Sequence, residues 1–409
     1  MTPAPTERLH ALDAVRGFAL LLGVAFHATM SFLPGPQAWI VMDDQRSEVM
    51  AVTFFALHIF RMTVFFLIAG YFGRLLLQRR GLGGFIVDRL KRIAAPLAIF
   101  WPMVLMAIIG VLVWNTIETL GGIPKNAPPP PAITPTAFPL THLWFLWVLL
   151  LFYPAMLVLR GVGKLLDRVG HVARMVDGLV AFLTRSLLGP VALAAPVALS
   201  LWLKPDLMAW VGIPTPDQSL IPNAIAATAY GIAFTFGWLL QRQDGLIQAF
   251  TRRWALNLGV AIAATTAAYL IVRGTPIPTR MDDESLRAVF SALYALAVWT
   301  WTFGLIGAAL TFLAGHSPVR RYIADASYWV YIVHIPLVMA LHVLLRDAAL
   351  AWPIKYLLVV AGTLVPAFIT YELLVRHTHL GWLLNGRRIP WRAKPQLQVR
   401  AQNRQEGIA

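Results

Sequence analysis

An arginine and a histidine lie eleven residues apart in the apolar stretch ALDAVRGFALLLGVAFHATMSF, residues 11–32. Eleven residues turn an α-helix through about 1100°, so Arg16 and His27 share one face, about 16 Å apart along the axis. Leu20 and Gly23 lie between them on that face, and Gly23 leaves room for a ligand close to the backbone. The pattern predicts a cation at the entrance of a channel and a general base part-way along it.

Both residues also have an ordinary structural interpretation. Arg16 suits a basic residue that snorkels to the headgroups and pairs with Asp13 at i−3. His27 would then be a hydrogen-bonded structural histidine, although a histidine at membrane depth is costly, which favours a functional role. With 34 basic residues and 10 histidines in the chain, one such spacing is expected by chance. The prediction therefore rests on where the pair lies along the apolar stretch.

A second apolar stretch, ALHIFRMTVFFLIAGYFG, carries His58 and Arg61 on adjacent turns. If this segment crosses the membrane in the opposite direction, both side chains reach a depth similar to that of His27. A charge at that depth must face the protein interior or a water-filled cavity. We predict that Arg61 or His58 serves the same site as an anion or oxyanion partner. The alternative is a structural pair between helices.

The segment RRGLGGFIVDRLKRIAAPL, residues 79–97, is a basic loop that enters the next apolar run. Arg89 and Arg92 lie one turn apart with Lys91 beside them. Planar guanidinium groups suit phosphate binding. We predict that Arg89, Arg92 and Arg16 bind a polyphosphate at the inner mouth, although ordinary topological charge also explains a basic loop.

Other chemistry-bearing side chains are less specific. His142 opens the segment THLWFLWVLLLFY, whose tryptophans suit an interfacial belt better than a sugar-stacking surface. Tyr328, Tyr331 and His334 lie within two turns of ASYWVYIVHIP, where hydrogen-bonded packing explains them as well as catalysis does. No GxSxG, Walker lysine or HExxH motif is present. Serine nucleophiles and metal hydrolysis therefore have no support, and no metal is expected.

Composition defines the elements that must position these residues. The chain of 409 residues is 58% hydrophobic and only 13% charged, whereas soluble domains are about a quarter charged. The apolar residues form runs of about twenty, the length of a membrane-spanning helix. Without cysteine, disulfides and Cys-based metal sites are excluded. We predict an all-α, polytopic integral membrane protein. In such a protein the net charge of +15 is explained by membrane topology rather than by nucleic-acid binding.

About ten transmembrane helices are predicted, the first without a cleavage site for a signal peptidase. Alternate loops hold 25 and 8 of the 34 Lys and Arg residues, and that bias predicts cytoplasmic termini. The predicted spans are 12–33, 50–77, 93–114, 142–159, 187–203, 222–240, 254–272, 287–313, 322–345 and 353–375.

Two segments outside these spans are distinctive. Residues 121–144, GGIPKNAPPPPAITPTAFPLTHLW, form a Pro-rich outer loop, which is either a stiff spacer or a lip over an externally open site. The tail after Gly381 is basic, and we expect it to anchor to lipid headgroups. Its cations include Arg387, Arg388, Arg392 and Lys394.

Several of these motifs together resemble the acyltransferase family 3 membrane proteins. RLHALDAVRGFALLLGVAFHATMSF is similar to the first helix of that family, and Arg16 and His27 match its pattern of a basic residue, ten others and histidine. Arg89 and Arg92 match the RxxR before its third helix, and HLWFLWVLLLFY and SYWVYIVHIPLV resemble two further stretches. VFFLIAGYFG resembles the segment FFxxSGF, but Ala69 replaces its serine.

The resemblance covers about residues 8–380 and implies the following function. A ten-helix domain over residues 1–380, followed by a basic cytoplasmic tail over residues 381–409, would transfer an acyl group from cytoplasmic acyl-CoA to a hydroxyl outside or in the outer leaflet. The acceptor would be a carbohydrate, and the protein would lie in the bacterial inner membrane. FRMTVFFLIAGYFGRLLLQRRG is most similar to the branch that succinylates periplasmic glucans, so succinyl-CoA or acetyl-CoA would be the donor.

Two other functions remain open on sequence alone. A proton-coupled transporter or flippase of an anionic glycolipid would also use Arg61 and His27. A membrane N-acetyltransferase similar to the lysosomal glucosamine acetylation enzymes would differ in transferring the acyl group to nitrogen.

Overall fold

The computed structural model describes residues 5–35, 39–124, 126, 129, 132–277, 279–386 and 389. These residues are helical, with two isolated β-bridges and no β-strand among them. The predicted all-α class is therefore confirmed for the described chain. Its α-helices are α1 Pro5–Thr29, α2 Glu48–Arg89, α3 Ala95–Leu120, α4 Trp144–Leu166, α5 His171–Arg185, α6 Gly189–Trp202, α7 Ala224–Leu240, α8 Trp254–Val272, α9 Glu284–Phe312, α10 Pro318–Leu345, α11 Trp352–Thr370 and α12 His379–Asn385.

Short polar side chains fix where several of these helices begin. Ser47, Asn223, Asp283 and Ser317 each accept a hydrogen bond from a backbone N–H in the first turn of the helix that follows. This cap satisfies one of the donors that a helix N-terminus leaves free. The apolar runs thus supply the helix bodies, and the polar residues between them set the boundaries.

Seven helical stretches are long and apolar enough to cross a bilayer, or eight if one bent pair counts as a single span. The chain is therefore a multi-pass membrane protein. One stretch, Glu48–Leu120, has 73 residues and would be about 110 Å long if straight, but it is broken at Gly81, where φ is +66°. The bent pair is α5 and α6, which meet at 103°. The exact count of ten and the cytoplasmic termini stay predictions.

Close helix packing brings the elements of the site together. The main pairs are α1 with α10, α2 with α7, and α8 with α9. A Cβ atom at Gly70 of α2 or at Gly237 of α7 would overlap the opposing backbone. Small residues at such a crossing let two membrane helices approach closely, so that van der Waals contact holds them together.

Of the two predicted non-spanning segments, the structure describes much of the Pro-rich loop but little of the basic tail. The described part of the Pro-rich loop is fixed to the loop before α7, because the amide of Phe138 donates to Gln218 and the amide of Leu220 donates to Pro135. These bonds hold this part of the loop in place, and its role as a stiff spacer or as a lip stays a prediction. The four predicted tail cations lie outside the described residues.

Candidate active site

Two cavities adjoin each other inside the helix bundle. The first, which we call the histidine cavity, has a volume of about 520 Å³ and is lined by His27, His58, His142, His334 and Arg61 among others. The second, the arginine cavity, has about 340 Å³ and is lined by Arg16, Arg89, Arg92 and Arg321 among others. Leu20, Phe65 and Phe145 line both cavities. Three apolar side chains, which we call the apolar boundary, therefore lie between a cationic chamber and an imidazole-rich one.

The face of α1 predicted from sequence runs along this pair of cavities. Arg16 lines the arginine cavity, Leu20 lines both, and Gly23 and His27 line the histidine cavity. A Cβ atom on Gly23 would lie 3.7 Å from Nη1 of Arg61 and 3.8 Å from Nε2 of His334. A Cβ atom here would thus be in ordinary van der Waals contact with both polar groups, and the predicted passage of a ligand along Gly23 stays a prediction.

Three histidines form a continuous group in the histidine cavity. The ring centroid of His27 lies 5.4 Å from that of His334, which lies 4.8 Å from that of His142. Trp39 stacks beside His27 at 6.0 Å. Three different helical regions supply these rings, so only the packing of α1 against α10 and the 3₁₀ turn Thr141–Leu143 before α4 creates the group.

Hydrogen bonds to the backbone determine which nitrogen of two rings carries a proton. Nδ1 of His334 lies 2.7 Å from the carbonyl oxygen of Tyr331, and Nε2 of His142 lies 3.1 Å from that of Ile332. A carbonyl oxygen only accepts, so these nitrogens donate, and in the neutral ring the other nitrogen holds a lone pair. Those other nitrogens, and Nδ1 of His27, are buried without a hydrogen-bond partner among the described residues. The neutral rings of His334 and His142 therefore each present a lone pair that can accept a hydrogen bond, and Nδ1 of His27 is unpartnered whichever nitrogen of that ring carries the proton.

Arg61 is buried beside this group without an ion-pair partner in the described chain. Its guanidinium lies 4.2 Å from the ring centroid of Phe26, and Nη1 has no hydrogen-bond partner there. Arg287 is equally buried, but it donates to the carbonyl oxygens of Trp202 and Met281 at 2.9 and 2.7 Å. The unsatisfied donor of Arg61 thus faces a site where an anionic or oxyanionic group would satisfy it.

His58 has a more structural setting than Arg61. Its Nε2 lies 3.2 Å from the carbonyl oxygen of Ile213, and its ring stacks on Phe54 and Phe26. Because the carbonyl oxygen accepts, Nε2 donates, and the bond ties α2 to the loop before α7. The structure brings His58 into the cavity, and its predicted role stays a prediction.

Loops and aromatic rings cover the histidine cavity on the side away from Arg16. Pro139 and Thr141 of the Pro-rich loop line it together with Asp217 and Gln218. Trp144 also lines it and is buried against Tyr230. The predicted membrane-interface position is therefore wrong for Trp144, because the start of α4 packs into the bundle instead of facing lipid.

Asp88 organises the arginine cavity, and sequence analysis missed it. Its buried carboxylate lies 2.6 Å from Nη2 of Arg89, 3.2 Å from Nε of Arg92 and 3.0 Å from Nη1 of Arg80. The hydroxyl of Tyr153 accepts from Arg89 and donates to the carbonyl oxygen of Ala69, the residue that stands in place of the family's serine. A π-helical turn over Leu90–Ala94 follows directly. One carboxylate thus holds two predicted phosphate-binding arginines in place.

Arg16 and Arg321 share the carboxylate of Asp13, and Arg321 also lies 3.3 Å from Asp325, which lines the same chamber. Asp13 lies 3.2 Å from Arg16, the pair that the structural interpretation of Arg16 expects, and 3.1 Å from Arg321. Both arginines line the arginine cavity. Arg321 has no local signal in the sequence, because only the packing of α10 on α1 brings it to the cavity.

Replacing Asp88 with asparagine is expected to raise the KM for the anionic donor about tenfold with little change in kcat. A hydrogen bond to a charged group is worth about 1.5–3 kcal/mol, and about 1.4 kcal/mol corresponds to tenfold. Steady-state kinetics would measure the two parameters separately. Asp283→Asn is the control, since asparagine also caps a helix. A fall in kcat at unchanged KM would contradict this positioning role.

Within the described residues, no three His, Asp or Glu side chains converge as they would around a metal ion. The absence of a metal site stays a prediction. The chemistry available from the described side chains is proton transfer, hydrogen bonding and electrostatic stabilisation.

Comparison with known proteins gives one extensive match and several partial ones. A family model described as an acyltransferase domain matches residues 9–372. Glucans biosynthesis protein C of Escherichia coli strain SMS-3-5 / SECEC is 34% identical over 103 residues, which is 25% of this chain and 26% of that protein. The same protein from E. coli K12 and from Shigella dysenteriae serotype 1 is 33% identical over the same share. This chain thus matches about a quarter of the length of these curated relatives. No solved structure matches it.

Proposed function

The chain belongs to the acyltransferase family 3 of membrane proteins, and on that premise we propose that it transfers an acyl group from cytoplasmic acyl-CoA to a hydroxyl group of a carbohydrate outside the cytoplasm. The observation that carries the proposal is the adjacency of the arginine and histidine cavities, which share the apolar boundary of Leu20, Phe65 and Phe145. Acyl-CoA has phosphates at one end, a pantetheine arm in the middle and a thioester at the other end. This order matches the arginine cavity, the apolar boundary and the histidine cavity.

The donor's phosphates bind in the arginine cavity. Arg16, Arg89 and Arg92 supply guanidinium groups that suit phosphate oxygens, and Arg321 adds a fourth. The pantetheine arm passes the apolar boundary at Leu20 and follows the face of α1 at Gly23. The thioester then lies in front of His27, His334 and Arg61.

The chemical step needs one base and one oxyanion partner. His27 accepts the proton from the acceptor hydroxyl as its oxygen attacks the thioester carbonyl. Arg61 stabilises the negative charge that forms on the carbonyl oxygen. When the tetrahedral intermediate collapses, the carbon–sulfur bond breaks and the CoA thiolate takes the proton from His27. Nε2 of His334 is a second proton acceptor beside His27, so the proton taken from the acceptor hydroxyl can stay within the cavity until the thiolate receives it.

The acceptor enters under the loops that cover the histidine cavity. Asp217, Gln218 and Thr141 offer hydrogen-bonding groups of the kind that bind sugar hydroxyls, and Trp144 offers an aromatic ring. The glucan relatives favour a glucan acceptor and a place in the bacterial inner membrane. The acyl group would be succinyl or acetyl, and Arg61 suits the free carboxylate of a succinyl group.

The test is release of CoA by purified protein in detergent with radiolabelled succinyl-CoA or acetyl-CoA and an oligosaccharide glucan. We expect release with one preferred donor and label on the glucan as a base-labile ester. Label on an amino sugar as a stable amide would identify an N-acyltransferase. No release, together with uptake of an anionic glycolipid into proteoliposomes without acyl-CoA, would contradict the proposal and favour a transporter.

A further inference from the structure

A third cavity, of about 510 Å³, lies among α2, α4, α5 and α7 and shares no lining residue with the two cavities of the active site. Four cationic side chains line it: Arg74, Arg160, Lys164 and Arg242. Met156 and Trp238 form part of its apolar wall. We propose that this pocket binds the phosphate headgroup of an anionic phospholipid, independently of acyl transfer.

The cations outnumber the carboxylates available to them. Arg242 pairs with Asp177 at 2.8 Å, and Asp167 accepts a hydrogen bond from the amide of Ala173 at the start of α5. Arg160 and Lys164 have no ion pair in the described chain. Against two carboxylates, the four cations leave two positive charges in excess, which is the charge that a ligand with two phosphodiesters neutralises.

Arg74 gives a second, independent indication of a ligand. Its Nε atom is buried and has no hydrogen-bond partner among the described residues. A buried donor on a charged group is costly to leave unsatisfied. Phosphate oxygens in the cavity would satisfy it.

The surroundings of the pocket favour a lipid over a soluble phosphate. Leu159 of the lining and Leu166 near the end of α4 are exposed, as are Val172 and Met175 on α5. In a membrane protein, exposed apolar side chains of this kind contact acyl chains. A headgroup held by the cations therefore has its chains directly against these side chains, whereas a soluble anion leaves them unused. Basic pockets between membrane helices bind anionic headgroups in this way.

The test is native mass spectrometry of the full chain in detergent, titrated with tetraoleoyl cardiolipin. We expect one lipid to bind with preference over dioleoyl phosphatidylcholine. Each cation near a membrane surface strengthens binding about fivefold, so Arg160→Gln with Lys164→Gln should weaken it roughly 30-fold. Arg79→Gln with Arg168→Gln removes the same charge from exposed positions outside the pocket and should leave binding unchanged.

Three results would overturn the proposal. The first is that the pocket variant and the control variant bind cardiolipin equally well. The second is that the protein binds phosphatidylcholine as well as cardiolipin. The third is that CoA or inorganic phosphate displaces cardiolipin, which would identify a soluble-phosphate site. If the double variant fails gel filtration as a folded protein, Lys164→Gln alone, at an exposed position, should still show the fivefold loss.

Discussion

Replacing His27 with asparagine is expected to slow acyl transfer by about 10²–10⁴-fold, the usual contribution of a positioned general base. Asparagine keeps a polar side chain of similar size but cannot accept the proton of the acceptor hydroxyl. Donor binding should change little, because the arginine cavity is untouched. The measurement is CoA release under saturating donor and acceptor, with membrane insertion and gel filtration checked for each variant.

His334→Asn and His171→Asn complete this experiment. His334 also offers an unpartnered Nε2 to the cavity, so its loss should slow the reaction less than the loss of His27. His171 is exposed on α5 and serves as the control for histidine replacement. If His27→Asn retained its rate while His334→Asn lost it, the base would be His334 and the proposed role of His27 would be wrong.

Arg61→Gln is expected to lower kcat by about 10²–10³-fold, the loss typical of one removed oxyanion donor. Apart from its contact with the ring of Phe26, the side chain has no ion pair in the described chain, so its removal should affect the reaction more than the fold. Arg61→Lys keeps the charge but loses the planar fork, and an intermediate rate is expected. Single-turnover kinetics with succinyl-CoA and acetyl-CoA would separate the chemical step from donor binding.

Arg287→Gln is the matched control, since Arg287 is equally buried but bonded to backbone carbonyls. Its replacement should lower the melting temperature and leave kcat of the folded fraction unchanged. If Arg61→Gln behaved in the same way, Arg61 would be a structural residue. A loss confined to succinyl-CoA would instead show that Arg61 binds the free carboxylate of the acyl group.

The sequence by itself determined the helical membrane class and one face of one helix. Apolar runs of about twenty residues leave no other structure for the backbone in lipid. The relation of Arg16, Gly23 and His27 is also local, because 3.6 residues per turn fixes which side chains share a face. For the same reason Arg89 and Arg92, one turn apart, were predicted together and lie together at Asp88.

The tertiary structure alone decided which other groups join them. His142 and His334 are 192 residues apart, and their rings meet at 4.8 Å only because the 3₁₀ turn Thr141–Leu143 before α4 packs on α10. In the sequence Asp88 is one charge among many in a basic loop, whereas in the structure it is buried between three arginines. The sequence pattern of Trp144 is typical of an interfacial residue, whereas in the structure its side chain is buried against Tyr230. Helix periodicity specifies the relative direction of side chains on one element, whereas their meeting across elements depends on packing, which no local pattern encodes.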